Sequence, residues 1–281
     1  MKDKTVLITG GNAGIGFATA ESLAAQGAEI IIASRNETKL KEAVAALQNK
    51  TGNKKIKYYV ADFSSQKSIR SLAEQIKKDY DKIDVLINNA GGVFPDFKLS
   101  EDGLEMTIAT NHFAYFLLTN LLLELIKKSD YARIVNVASG SHYRGKIDFK
   151  SFTKDQGYFI LKAYEQSKLA NVLFTFALAE KLKGTQVTVN ALHPGFVRTD
   201  IGNKDTQWYA KMFWTLASRI AAISLEDGAK TSVYLASSKE VKGVTGKYFN
   251  KCKEQEPAAL AKDKELQKEL WNMSALFCPI A

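Results

Sequence analysis

The chain has 281 residues, 46% hydrophobic and 25% charged, with 39 Lys and Arg against 30 Asp and Glu for a net charge of +9. That balance is the globular norm, and it excludes a disordered chain, a fibre and a disulfide-stapled scaffold. The positive charge favours anionic ligands in general, but the lysines alternate with acids, as in Lys262-Asp263-Lys264-Glu265, which reads as a solvated helix face and not as a nucleic-acid-binding tract.

Short β-branched runs alternate with helical patterns from the start. Strands are predicted at Thr5–Thr9, Glu29–Ala33, Ile56–Val60, Ile83–Asn88, Arg133–Val137, Gln186–Ala191 and Val244–Phe249. They read as continuous apolar runs, so both faces of their sheet should be covered. Helices are predicted near 15–26, 37–49, 65–80, 102–128, 160–183 and 226–237. This alternation gives an α/β fold: a single Rossmann-type doubly wound domain over 1–281, with about seven parallel strands flanked by helices. Extra material falls near 200–225 and in a C-terminal helical extension over 255–281.

The first strand runs into Gly10-Gly11-Asn12-Ala13-Gly14-Ile15-Gly16 and then a helix. Glycines here allow a tight turn and a close backbone approach to a pyrophosphate, and the helix N-terminus offers free N–H groups to phosphate. The second strand ends in Ala33-Ser34-Arg35, where selection of NAD would call for an acid. A hydroxyl and a guanidinium suit a 2′-phosphate, so NADP(H) is the expected cofactor. Further on, Tyr164 and Lys168 stand four apart in a helical pattern, hence on one face. A phenol titrates near pH 10, and an adjacent ammonium lowers that value toward neutrality. Asn88-Asn89-Ala90-Gly91, Asn111, Ser139 and Pro194-Gly195 fall just beyond predicted strands or in the helices after them. Open α/β sheets bind their ligands at such positions.

In combination, TGGNAGIG, NNAG, TNHFAYFLLT, RIVNVASGSH, AYEQSKLAN, HPGFVRT, GKYFNKC and ELWNMS resemble the short-chain dehydrogenase/reductase family over nearly the whole chain, and most closely its retinol dehydrogenase-like branch. The resemblance implies an oxidoreductase interconverting an alcohol with an aldehyde or ketone by hydride transfer. It implies Tyr164 as general acid or base and Lys168 as the group lowering its pKa. Ser139 would hydrogen-bond the substrate oxygen, and Asn111 would anchor a water in a proton relay. Gly10, Asn12, Gly14, Ile15 and Gly16 would form the pyrophosphate turn, with Ser34 and Arg35 at the adenosine end, Asp62 on the adenine and Phe63 beside it. Asn89, Ala90 and Gly91 would line the ribose side; Pro194, Gly195, Val197 and Thr199 would lie at the nicotinamide, with Thr199 on its carboxamide. Ser139 and Tyr164 are farther apart than in ordinary members, which implies an insertion near 140–163. Ala138-Ser139 replaces the usual pair of serines, and Ser141 is an alternative to Ser139.

Several readings stay open at this level. Residues 203–223 carry apolar side chains at helical spacing and fit a substrate lid, core packing or an interfacial helix on a membrane surface. His112 reads as a packed core residue, His193 as part of the pocket rim, and His142 as a residue able to reach the substrate. A nucleotide-binding sensor without catalysis is the alternative function. The partner is a small hydrophobic carbonyl or alcohol, with no nucleic acid, and the chain is a monomer or a homodimer. Cys252 and Cys278 form no metal-ligating spacing with the three histidines, so no metal is expected. A strand entered at Thr5 and the lack of long apolar runs give the expectation of a cytoplasmic protein with reduced thiols.

Overall fold

The structure, a computed structural model, describes residues 1–195 and 224–280. The expectations for Val197, Thr199 and the 203–223 segment lie outside the described residues. The strands are β1 (Thr5–Thr9), β2 (Glu29–Ser34), β3 (Ile56–Val60), β4 (Val85–Asn88), β5 (Ala132–Val137), β6 (Val187–His193), β7 (Lys247–Asn250) and β8 (Lys253–Glu254). The helices are α1 (Gly14–Ala25), α2 (Glu37–Thr51), α3 (Gln66–Asp79), α4 (Met106–Ile108), α5 (Ala114–Lys127), α6 (Ile160–Lys181), α7 (Leu225–Ser237) and α8 (Lys264–Phe277), with a π-turn at Ala109–Phe113 between α4 and α5.

One eight-stranded sheet runs in the order β3-β2-β1-β4-β5-β6-β7-β8. All pairs are parallel except β7 with β8. The strand order therefore reverses between β1 and β4, the crevice where ligands bind in such sheets. β1 is buried along its whole length, as both-face coverage requires. Its residues alternate between two cores: Leu7 joins Ile31, Leu86, Ile134 and Val189 under α3, α5 and α6, while Val6 and Ile8 join Ile30, Ile32, Val85 and Ile87 under α1 and α2. β3 departs from the expected continuous burial, with Lys57 and Val60 exposed, because it is the edge of the sheet.

The eighth strand corrects the count of about seven. It is two exposed residues long and carries no periodicity to read. Its hairpin turn, Lys251-Cys252, has φ of 50° and 61° at the two positions. Both are left-handed, as a two-residue hairpin turn demands, and Asn-Gly would have advertised it. The helix expected over 102–128 begins only at Met106, because Gly103 turns the chain at φ 74° and Glu105 then caps the new helix by accepting from the amides of Thr107 and Ile108. At the opposite end of the sheet, Asp84 is buried and accepts from Lys4 Nζ, the Thr5 amide and Ser129 Oγ. Burial alone would raise this carboxyl, but the three donors outweigh it and hold the pKa below the usual value.

Candidate active site

The glycine turn follows directly from β1. Gly10 and Gly14 have φ of 68° and 56°, conformations that an L side chain rarely adopts. A Cβ on Gly16 would lie 2.4 Å from the Gly10 carbonyl oxygen and 2.5 Å from Asn89 Nδ2, so no larger residue fits. Ala13 supplies no side-chain cap to α1, which leaves the first-turn amides for another acceptor. Asn89 buttresses this turn: its Nδ2 donates to the Thr9 and Gly10 carbonyls, at 2.8 and 3.4 Å. Thr9 Oγ1 in turn accepts from the amides of both Asn89 and Ala90, each at 2.9 Å. Thr9 is a site residue that motif reading passed over, although it closes the strand leading into the glycines.

Ser34 ends β2 with its side chain buried, and Arg35 next to it is exposed. At the end of β3, Asp62 Oδ1 accepts from the amide and hydroxyl of Ser64, and Phe63 is buried. These four residues, the glycine turn and Asn89–Gly91 flank the C-terminal ends of β1, β2, β3 and β4. Pro194 and Gly195 follow β6 on the same side of the sheet, Gly195 at φ 88°.

Ser139 immediately follows β5. Its backbone is extended, and its Oγ accepts from the Ser141 amide at 3.2 Å, capping the 3₁₀ turn Gly140–Arg144. Tyr164 lies in the first turns of α6, near enough to Ser139 for that side chain to act on its phenol. The 25-residue separation in sequence is therefore closed in space. Of the two serines, Ser141 contributes its amide to the cap, and Ser139 is the one whose side chain acts on the Tyr164 phenol. Burial raises the pKa of the Tyr164 phenol, and the neighbouring Ser139 side chain draws it partly back.

Lys168, one turn along, has its Nζ 5.5 Å from the Tyr164 ring centroid and donates to the Val137 carbonyl at 3.2 Å. It is 5% exposed, and burial pushes its pKa down to about 8. A methyl group placed on Gly91 would lie 3.0 Å from Asn111 Oδ1 and 3.7 Å from Lys168 Nζ. β4, the π-turn and α6 thus converge within one small space. Asn111 sits in the π-turn, an irregularity frequent at functional sites. Its side chain donates to the Gly92 carbonyl and to Ser167 Oγ and accepts from the Gly92 amide. Both amide hydrogens are thus engaged within the protein.

His112 packs in the core, as its sequence context suggested, whereas His142 takes a place other than the expected one. His112 is fully buried, with Nε2 2.9 Å from Ser274 Oγ of α8, and burial lowers its pKa to about 3. His193 ends β6 part-buried, its pKa lowered by burial to about 4. His142 does not face a substrate space: it is buried, and both ring nitrogens are bound to main chain. A second set missed from sequence is the seam in which Asn88 Nδ2 donates to Thr119 Oγ1 and Asn136 Oδ1, and Asn136 Nδ2 donates to Thr175 Oγ1. It ties β4 and β5 to α5 and α6, the four elements that carry or flank the reactive groups. Among the described residues no helix is long and apolar enough to cross a membrane.

The sequence and the fold of this chain have parallels in known proteins. The family model for short chain dehydrogenase matches residues 4–210. Human retinol dehydrogenase 14 is 41% identical over 98% of this chain and 86% of its own length, and human retinol dehydrogenase 13 is 41% identical over 97% and 83%. Among solved structures, an uncharacterized protein from Mycobacterium paratuberculosis superposes with a TM-score of 0.80 at 30% identity, covering 99% of this chain and 94% of that one. A short chain dehydrogenase from Escherichia coli CFT073 complexed with NADPH gives 0.70 at 26% identity, covering 89% and 97%. Agreement at this level over nearly the full chain, on a sheet and site built as described, makes the protein an oxidoreductase of the short-chain dehydrogenase/reductase family, on its retinol dehydrogenase-like branch.

Proposed function

We propose that the protein is an NADP(H)-dependent oxidoreductase that interconverts a hydrophobic alcohol with its aldehyde or ketone. The observation that carries this reading is the Ser139–Tyr164–Lys168 set lying beside the glycine turn. The residues present fit the cofactor: the Gly10–Gly16 cradle excludes any Cβ at position 16, and the first-turn amides of α1 have no side-chain cap. Ser34 and Arg35 would take the 2′-phosphate and Lys168 the nicotinamide ribose. Pro194, Gly195, Val197 and Thr199 would hold the nicotinamide. Bound NADP(H) supplies the hydride chemistry. The preference for NADP(H) rests on Arg35, exposed and with no acid beside it in sequence, and is in keeping with the NADPH complex of the E. coli relative. The names of the retinol dehydrogenase relatives support a hydrophobic substrate.

The chain's own part is the proton. Ser139 Oγ accepts from the Ser141 amide, so its one hydrogen, which acts on the Tyr164 phenol in the free protein, would turn to the substrate oxygen when substrate binds. In reduction the Tyr164 hydroxyl delivers a proton to that oxygen, and in oxidation the phenolate removes it. Lys168, when protonated, favours the phenolate by proximity of charge. A sensor that only binds nucleotide would need the glycine turn but not a buried ammonium one turn from a phenol.

The test is a panel of aliphatic, aromatic and isoprenoid aldehydes, all-trans-retinal included, read by NADPH oxidation. NADPH should bind at least about tenfold more tightly than NADH, about 1.4 kcal/mol, and Arg35→Ala should remove the preference. Tyr164→Phe should lower kcat by about 10²–10⁴-fold with NADPH binding nearly unchanged. Equal affinity for the two nucleotides, or a Tyr164→Phe enzyme as fast as wild type, would overturn the reading.

A further inference from the structure

The 3₁₀ turn that carries Ser139 is not held by β5 alone. The main-chain carbonyl of Ser139 accepts twice from the same residue: from the His142 amide at 3.2 Å and from the ring at Nδ1, 2.7 Å away. On the far side of the ring, Nε2 accepts from the Ala258 amide at 3.1 Å. An amide N–H can only donate, so Nε2 holds the lone pair and Nδ1 carries the proton. The network thus selects one neutral tautomer with no free nitrogen. The ring is completely buried between Tyr143 and Tyr248, at centroid distances of 4.1 and 4.5 Å. Around it the same segment is fastened twice more: Tyr143 Oη donates to the Glu256 carbonyl at 2.5 Å, and the Gln255 amide donates to the Tyr248 carbonyl at 2.8 Å.

We infer that His142 is a positioning residue for Ser139, and that through it residues 255–258, beyond the end of the sheet, brace the catalytic loop. The inference rests on the reading of Ser139 as the group that meets the substrate oxygen. Ser139 is held at both ends: its Oγ by the Ser141 amide it caps and its carbonyl by two donors of His142. The peptide plane between Ser139 and Gly140 therefore has one orientation, and with it the direction from which Oγ meets Tyr164 and the substrate. A displacement of about 1 Å in such a group can cost about 100-fold in rate.

Three substitutions separate positioning from mere packing. His142→Phe keeps a flat ring between the two tyrosines and removes both bonds. His142→Asn places an amide nitrogen where Nδ1 stood and keeps the donor to Ser139. His142→Gln places its polar end near Nε2 and keeps only the Ala258 contact. With all-trans-retinal and nonanal as probes, and rates expressed per bound NADPH so that unfolded protein does not count, His142→Phe and His142→Gln should lower kcat by about 10- to 100-fold at unchanged NADPH affinity. His142→Asn should recover most of that loss. A His142→Phe protein with wild-type kcat, or a His142→Asn protein as slow as His142→Phe, would overturn the inference. Nitrogen-15 shifts of the wild-type imidazole give a check independent of turnover: Nδ1 must be the protonated nitrogen, and the opposite tautomer would refute the proposed bracing. Ser139→Ala is run alongside. If it reacts at the wild-type rate, the reading of Ser139 fails; if it is slow while His142→Phe is fast, only the bracing fails.

Discussion

Lys168 shows how a single buried charge is held at the expense of stability. It is an almost fully buried ammonium with one carbonyl partner, and its pKa falls from 10.5 to about 8. A base whose folded pKa is depressed takes up fewer protons than the unfolded chain between those two values. Its stabilising contribution is full above 10.5 and is lost as pH falls through about 8. The Lys168 contribution should therefore grow as pH rises from 8 to 10, read in urea melts of the cofactor-free protein as the difference from Lys168→Met, since Cys278, its pKa raised by burial, acts in the opposite direction. Lys168→Met should raise the midpoint at pH 7 by an amount worth up to about 3 kcal/mol, less the lost bond to Val137, while turnover is abolished. A lower midpoint in the variant would mean that the ammonium is better solvated than its surroundings indicate.

At the scale of elements, the π-turn between α4 and α5 is held from the side. His112 stands within it, and its Nε2 meets Ser274 Oγ, which donates onward to the Leu270 carbonyl of α8. That arrangement requires Nε2 to carry the donated hydrogen, and burial, which lowers the pKa to about 3, keeps the ring neutral. Below about pH 6.5 the unfolded chain gains a proton that folded His112 refuses, so stability falls by about 1.4 kcal/mol per pH unit from this group. His193, with its value near 4, acts in the same direction. Denaturant melts should thus weaken from pH 6.5 downward, before most carboxylates titrate. His112→Phe, whatever its stability at pH 7, should show a shallower slope between pH 4 and 6.5; an unchanged slope would assign the acid sensitivity elsewhere.

At the scale of the whole molecule, α8 closes the outer side of α5, which follows the π-turn holding Asn111, and of α6, which holds Tyr164 and Lys168. Trp271 packs edge-on against Phe116 of α5 at 5.0 Å and stacks on Phe174 of α6 at 6.0 Å, with Lys181 Nζ over its ring at 4.5 Å. Leu270 beside it is 1% exposed. Leu270→Ala should cost about 2–5 kcal/mol of folding stability, as deletion of a buried leucine does. If α8 were a loosely attached appendage the loss would be well under 1 kcal/mol, and calorimetry or denaturant melts would distinguish the two.

Local chemistry made much of the molecule legible beforehand. The β-branched runs, the glycine turn after Thr9 and the Tyr164–Lys168 spacing each depend on residues near in sequence, where period and turn geometry leave few alternatives. Six of the eight strands lie within a residue or two of their expected bounds; β7 starts three residues late, and β8 gave no signal because its turn is Lys-Cys. What only the tertiary structure decided are the contacts across long separations. The Ser139 side chain acts on Tyr164 across 25 residues of sequence, while Ser141, the alternative, lends its amide to the cap. Asn89 turns its amide onto the glycine loop, and Asn111 spends its own on Gly92 and Ser167. His142 faces inward to join Ser139 with Ala258, 116 residues away. A polar side chain can satisfy its hydrogen bonds with many partners, and which of them it meets is set by how helices and strands pack, a property that no local pattern encodes.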